Sequence, residues 1–311
     1  MIKRKRLRIG TRESELATWQ AKTVARQLSR LGHETELVFV KSEGDIDLTT
    51  PLTEMGGKGV FTKALDDALL NDEIDLAVHS YKDLPTENPL PLKVAAVLER
   101  ADARDTLVAP GGTDFLEDTD CEATIATSSN RRRAQWLNRY PNHTITNIRG
   151  NVNTRLRKVE ENAWDAAIFA AAGLTRIGLG EHISAYLDWM VPAAAQGAMA
   201  VMIREEDLVL QRQLNDLNHR ETELCTRVER DFLHDMEAGC SAPVGGYASI
   251  EGDMLHFKAV ALMLDGSERF DFEITEPVDR SAELGHRAAE ELLEQGASKV
   301  IDQMKETEQE E

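Results

Sequence analysis

The 311-residue sequence predicts a mixed α/β protein: two α/β domains flanking a cleft, then a smaller C-terminal α+β domain with a three-stranded antiparallel sheet. Three observations lead there. Short apolar strand-like runs alternate with helical patterns through roughly the first two hundred residues. The same alternation restarts after Ala101. The last ~90 residues change grammar, to a helix, dipeptide-turned strands and a closing helix.

The elements follow in order. LRIG reads as a strand and precedes a helical stretch from about Glu15 to Leu31. HETELVFV is a strand, GGKGVFTKALDDALL a Gly-rich loop opening a helix, and IDLAVHS a buried strand that runs into YKDLP. KVAAVLE is the next strand, and this βαβ rhythm implies a mostly parallel sheet with helices on both faces. In the second unit TLVAP, ATIATSS, TITNIRG and DAAIFAAAGL are strands or strand-turn units, with helices near Arg132–Tyr140 and Arg155–Asn162. PAAAQGAMAVMI is another strand-like run. A helix spans about Glu221–Met236, with Leu224, Val228 and Phe232 on its apolar stripe. Glu251-Gly252-Asp253 and Asp265-Gly266 turn the strands of the last domain, the latter being a hairpin signal. One helix from about Ala282 to Met304 closes the chain.

Charge narrows the partners. With 36 basic and 55 acidic residues the net charge is -19, a field that repels nucleic acid and anionic membranes. The basic start lacks the apolar segment of a signal peptide, no stretch approaches a membrane span, and a reducing cytoplasm is the expected compartment. The three cysteines do not make a disulfide framework, and no Cys/His spacing suggests a metal site.

Against that field, cations recur where strands hand over to helices. Arg12 follows LRIG, Lys58 lies in GGKG, Lys82 follows LAVHS, Arg131 and Arg132 follow ATIATSS, Arg149 ends TITNIRG, and Arg155 opens the next helix. Helix N-termini already favour anions, so arginines gathered there make sense around a bound polyanion. Ser128 and Ser129 are placed to cap that helix and to donate to a ligand. GGKGVFTK fails the P-loop pattern because Gly59 rather than Ser or Thr follows Lys58. A multiply carboxylated ligand suits arginine's bidentate geometry.

Asp83 stands among these cations, as an acid able to trade protons or steady a cation, or as a turn aspartate paired with Lys82. Cys240, on the small-residue loop EAGCSAPVGG, is either the covalent residue or a structural thiol; Cys225 reads as core and Cys121 as inert. His79 and His143 read as hydrogen-bonded structural histidines, and Phe61 as a stacking or core ring.

Taken together, RIGTRESELA, GGKGVFTK, DLAVHSYKDLP, ATSSNRRRAQ, IRGNVNTRL, AAGLTRIGL, PAAAQGAMA and ERDFLHDMEAGCSAPVGGYA resemble the porphobilinogen deaminase (hydroxymethylbilane synthase) family, in that family's order. The resemblance implies two lobes like those of periplasmic binding proteins, 1–101 with 197–217 and 102–196, and a third domain, 218–311, presenting Cys240. It implies a dipyrromethane cofactor held by a thioether to Cys240, onto which four porphobilinogens are joined with loss of ammonia before water releases the product for porphyrin and heme biosynthesis. Asp83 matches the catalytic position. Ser80, Lys82, Thr127, Ser128, Ser129, Arg131, Arg132, Gly150 and Arg155 match positions around the cofactor. Arg12, Ser14, Gln20, Lys58, Phe61, Arg149 and Arg176 match positions around incoming or growing pyrroles. The resemblance also implies a monomer with a small-molecule substrate and no metal. Ala238 and Ala195 stand where the family usually has glycine, Ala242 replaces a usual β-branched residue and Asn130 a usual apolar one. A non-catalytic two-lobed carboxylate binder would explain the arginines but not Asp83 or Cys240; a phosphoryl-transfer enzyme meets the failed P-loop.

Overall fold

The computed structural model describes residues 6–41, 62–87, 89–118, 120–237 and 242–310. By contact the chain divides into two units, Met1–Ala101 with Ala198–Leu224, and Asp102–Gly197 with Cys225–Glu311.

In the first unit, β1 (Leu7–Thr11) leads through Ser14 into α1 (Glu15–Arg30). Ser14 caps the helix by accepting the amide of Ala17 at 3.3 Å. Gln20, Ala21, Val24 and Leu28 fall on one face at helical spacing and are buried. Gly32, at φ +84, ends the helix by taking the left-handed conformation. β2 (Thr35–Phe39), α2 (Lys63–Leu70), β3 (Leu76–Ser80) and β4 (Leu92–Val97) follow, and β10 (Met199–Arg204) with α6 (Leu208–Leu214) completes the unit. The sheet order is β2-β1-β3-β10-β4. β1 is parallel to β2 and β3, whereas β10 is antiparallel to both its neighbours. The strand returning from residue 198 therefore fills a slot between β3 and β4.

The second unit repeats this plan. Its sheet, β7-β6-β8-β5-β9, is built from β5 (Asp105–Val108), β6 (Thr124–Ala126), β7 (Thr144–Thr146), β8 (Ala166–Ala170) and β9 (Ala185–Tyr186). β6 is parallel to β7 and β8, and β5 is the reversed strand. Helices α3 (Asn130–Arg139), α4 (Val152–Glu161) and α5 (Ala171–Arg176) follow β6, β7 and β8. The mostly parallel sheets expected from the βαβ rhythm are present. The one reversed strand in each is the place where the chain enters from the other half of the sequence, which periodicity does not encode.

From Cys225 onward the C-terminal layer belongs to the same unit. α7 (Arg220–Asp235) buries Cys225, Val228 and Phe232, and the hairpins β11 (Val244–Glu251), β12 (Met254–Leu262) and β13 (Arg269–Pro277) form the antiparallel three-stranded sheet expected. Gly252 and Gly266, at φ +59 and +76, make its turns. A side chain at 266 would also strike the backbone of α3, 2.4 Å from the Asn138 amide. Val260 and Leu262 pack against Ala134 of the same helix. The single closing helix expected over Ala282–Met304 is instead broken. A 3₁₀ stretch (Val278–Glu283), α8 (Leu284–Leu292) and α9 (Ser298–Glu310) are separated by a kink where Gly296 takes φ +106.

Candidate active site

Two clusters of the expected residues form, one in each unit, and in each case at the carboxyl ends of parallel strands, where α/β sheets bind ligands.

In the first unit the ends of the neighbouring strands β1 and β3 supply it. Arg12 and Ser14 follow β1; Ser80 ends β3; Lys82 and Asp83 sit in the 3₁₀ turn beyond. Gln20 is buried, and its amide nitrogen donates to Ser80 Oγ at 2.8 Å, joining α1 to the end of β3. Asp83 is exposed, and its carboxylate takes no hydrogen bond or ion pair among the described residues. His79, one residue before Ser80, is buried and its Nε2 has no hydrogen-bond partner among the described residues. Burial first, and the charge of Arg12 second, push its imidazole down to about 4, so it is neutral at physiological pH. The hydrogen bond expected of a structural histidine is not made at that nitrogen among the described residues.

In the second unit the ends of β6, β7 and β8 converge. The Thr127 amide donates to Thr146 O at 2.8 Å, and Thr127 Oγ1 accepts the amide of Ser129 at 3.2 Å. Ser129 caps α3 through the Arg132 amide at 3.4 Å. Ser128, read as a second cap, instead spans to Ile148, its Oγ lying 2.9 Å from both the amide and the carbonyl. After β7, Arg149 and Gly150 form the turn into α4, whose cap is Asn151. Gly150 has φ +116, and a side chain there would meet Thr154 at 2.6 Å. Arg155 Nε donates to Gly150 O at 2.7 Å and Lys158 Nζ to Arg149 O at 3.1 Å, so cations from α4 fold back over the turn. Arg176, from the end of α5, donates to Gly197 O at 2.7 Å; burial lowers its guanidinium to about 10, still charged at neutral pH.

Arg131 and Arg132 occupy a different setting from an open ligand-facing pair. Both are buried, and both bind Asp105, which is fully buried at the start of β5. Arg131 Nη1 lies 2.6 Å from one carboxylate oxygen, and Arg132 Nε and Nη2 lie 2.9 and 2.8 Å from the other. Arg131 also donates to Val191 O and Arg132 to Ile168 O. Burial alone would raise the Asp105 carboxyl, but the two guanidiniums outweigh it and hold it well below the usual carboxylate range.

Sequence reasoning passed over Asp105, Gln196, Glu229 and Lys158. The signal for Asp105 was present: an acid opening an apolar strand in ARDTLVAP requires a buried cation. Glu229 hides on the buried face of α7, where its oxygens accept the amides of Ala195 at 2.6 Å and Ala248 at 2.7 Å. Cys225 is buried, the core position read for it. His143 is a structural residue, accepting Trp136 Nε1 at 3.2 Å inside an aromatic cluster. Lys58, Phe61, Ala238 and Cys240 lie outside the described residues. Among the described residues no cluster could hold a metal ion, and no helix is long and apolar enough to cross a membrane.

Guanidinium, ammonium and hydroxyl groups gathered at the ends of parallel strands define a class of α/β protein suited to a carboxylate-rich small molecule. Comparison with known proteins makes this specific. Residues 7–212 match the family model "Porphobilinogen deaminase, dipyromethane cofactor binding domain", and residues 223–294 match that family's C-terminal domain. The porphobilinogen deaminase of Chlorobium phaeobacteroides is 40% identical over 98% of this chain and 99% of its own. Those of Pelobacter propionicus and Geobacter sulfurreducens are 39% and 40% identical over 96% and 95% of this chain, and 97% and 94% of theirs. An ancestral cationic amino acid solute-binding protein of solved structure is 15% identical, with a TM-score of 0.43 over 69% of this chain and 89% of its own. The chain belongs to the porphobilinogen deaminase family, a family of transferases.

Proposed function

We propose that the protein is a porphobilinogen deaminase working through Asp83 and Cys240. It joins four porphobilinogen units head to tail on a dipyrromethane held by a thioether to Cys240, frees one ammonia per unit, and releases hydroxymethylbilane by hydrolysis. The carrying observation is the donor set at the ends of β6, β7 and β8. Arg149, Arg155 and Lys158 bring three cations to one turn, beside Ser128 and the capped N-termini of α3 and α4. That set fits a group bearing several acetate and propionate arms, against a chain of net charge -19.

When bound, the dipyrromethane supplies the nucleophilic pyrrole end that each new unit joins. The chain's residues do the rest. Arg12, Ser14, Gln20, Arg149 and Arg176 receive the carboxylates of substrate and growing product, and Lys58 and Phe61 match further substrate positions by sequence. Ser80, Lys82, Thr127, Ser128, Ser129, Arg131, Arg132, Gly150 and Arg155 hold the resident cofactor. The exposed carboxylate of Asp83, with no protein partner to tie it down among the described residues, steadies the pyrrole cation left when ammonia departs and accepts the proton lost on coupling. This work is spread over three domains, 1–101 with 197–217, 102–196 and 218–311. Tethering keeps intermediates at high local concentration.

Intact-mass measurement of the purified protein tests this reading. The expected result is an adduct of one dipyrromethane, absent in Cys240→Ala. An unmodified mass from cells that make porphobilinogen overturns it.

A further inference from the structure

Asp105 is placed with unusual consequence. Its strand, β5, runs opposite to β8, so its first residue pairs with Ala170, the last of β8. An acid is thereby delivered to the edge where the cationic groups gather. The topology does not require one there. In the first unit the equivalent pairing, between the first residue of β10 and the last of β3, puts Met199 beside Ser80. Left alone, a carboxylate at 105 would repel the anions that this edge collects. It is fully buried instead, and both oxygens are filled by donors: Arg131 at 2.6 Å on one; Arg132 Nε at 2.9 Å and Gln196 Nε2 at 3.0 Å on the other.

The second partner extends the arrangement. Gln196 is buried, and its amide nitrogen also donates to Ala103 O at 2.7 Å. The residue before it, Ala195, is held at φ +59 while its amide donates to Glu229. Glu229 lies on α7, the helix that ends at Asp235, five residues before Cys240 by sequence number. A chain of hydrogen bonds and one peptide link therefore runs from α7 through Glu229, Ala195, Gln196 and Asp105 to Arg131 and Arg132.

We infer that Asp105 is a positioning residue: it sets Arg131 and Arg132 at the start of α3 for an anionic arm of the ligand, and Gln196 couples that setting to the helix that precedes Cys240 in the sequence. The inference rests on the function proposed above. Two long side chains that must meet one carboxylate in one geometry gain most from a fixed counter-ion, because their rotamer freedom is spent in folding rather than in binding.

Asp105→Asn and Gln196→Leu, each compared with wild type as isolated from cells, test it. Gln196→Leu keeps the charge balance of the cluster and decides the matter if Asp105→Asn does not fold. Three quantities are read: the fraction of molecules carrying the dipyrromethane mass, the Michaelis constant for porphobilinogen, and kcat per adduct-bearing molecule. A folded variant is expected to lose most of its adduct fraction or to raise the Michaelis constant roughly tenfold, with kcat per adduct-bearing molecule changed less than about twofold, since misplacement of a binding group acts on assembly before chemistry. A folded Gln196→Leu with wild-type adduct fraction and Michaelis constant overturns the positioning role. Absence of adduct and turnover in the wild type itself would instead sink the function on which it rests.

Discussion

Glu229 fixes Ala195 in a conformation that alanine avoids. The Ala195 amide donates to Glu229 Oε2 at 2.6 Å, and the residue sits at φ +59 with no exposed surface. An L-residue in the left-handed region costs roughly 1 kcal/mol relative to glycine. The charge-assisted bond from a buried carboxylate offsets that cost. Ala195→Gly is therefore expected to leave the fold intact and raise stability by up to ~1 kcal/mol, reduced by the added freedom of the unfolded chain. Glu229→Ala leaves two buried amides unmet and should destabilise by ~2–4 kcal/mol. Urea titration reads both; a Glu229→Ala midpoint equal to wild type would show that the clamp does not hold the turn.

His79 gives stability a defined dependence on pH. Its folded pKa is about 4 against 6.5 for the free side chain. The unfolded chain thus takes up a proton, as pH falls below about 6.5, that the native protein refuses until about 4. Native stability should fall through that window, by a few kcal/mol at most, and stop falling from this cause below it. His79→Gln removes this contribution. Unfolding free energies at pH 8 and pH 5 check it: if the loss on acidification is the same in wild type and variant, His79 is not its source.

Gly150 should accept no side chain. Its φ of +116 is strained for any L-residue, and a Cβ would lie 2.6 Å from Thr154 Cγ2 and 2.8 Å from Thr154 Cβ. Gly150→Ala is expected to cost ~1–3 kcal/mol and to displace the carbonyl that receives Arg155 Nε. Thermal denaturation measures the first effect. Loss of adduct by intact mass in a protein still folded at the assay temperature measures the second, and full adduct retention would count against this turn in cofactor holding.

Asp83→Ala separates tethering from turnover. The carboxylate is exposed and takes no bond among the described residues, so its removal should leave the thermal midpoint within about 2 °C. Turnover should fall at least a hundredfold, the scale of a lost acid–base group. A variant turning over near the wild-type rate would remove Asp83 from the chemistry.

Much of this was legible in the residues. Strand runs and the Asp265-Gly266 turn marked the sheets because short apolar runs and hairpin glycines are local properties. Cations at strand ends marked the two clusters because arginine beside a helix N-terminus is unfavourable without an anion. The reversed strands β5 and β10 were not legible, since pairing direction depends on where the chain goes between strands. Nor was the commitment of Arg131 and Arg132 to Asp105: the partners are 26 and 27 positions apart, and a single acid in a strand names no particular cation. Gly296 broke a helix that the apolar periodicity carried straight through, because one glycine inside a periodic run weakens the pattern without announcing a kink.

The slot that β10 fills has a consequence for the order of synthesis. As the chain leaves the ribosome, β1, β2 and β3 emerge early, but the strand that binds β4 to them is not made until residues 199–204. Residues 102–197 must be translated first, a delay of ~5–20 s at ordinary elongation rates. Through that interval the nascent N-terminal sheet carries an open β3 edge, able to recruit the wrong strand. The opposite holds for β5, which is made before its neighbour β8 and waits for it. The second sheet therefore has all its strands available before the first, although its residues come later in the chain.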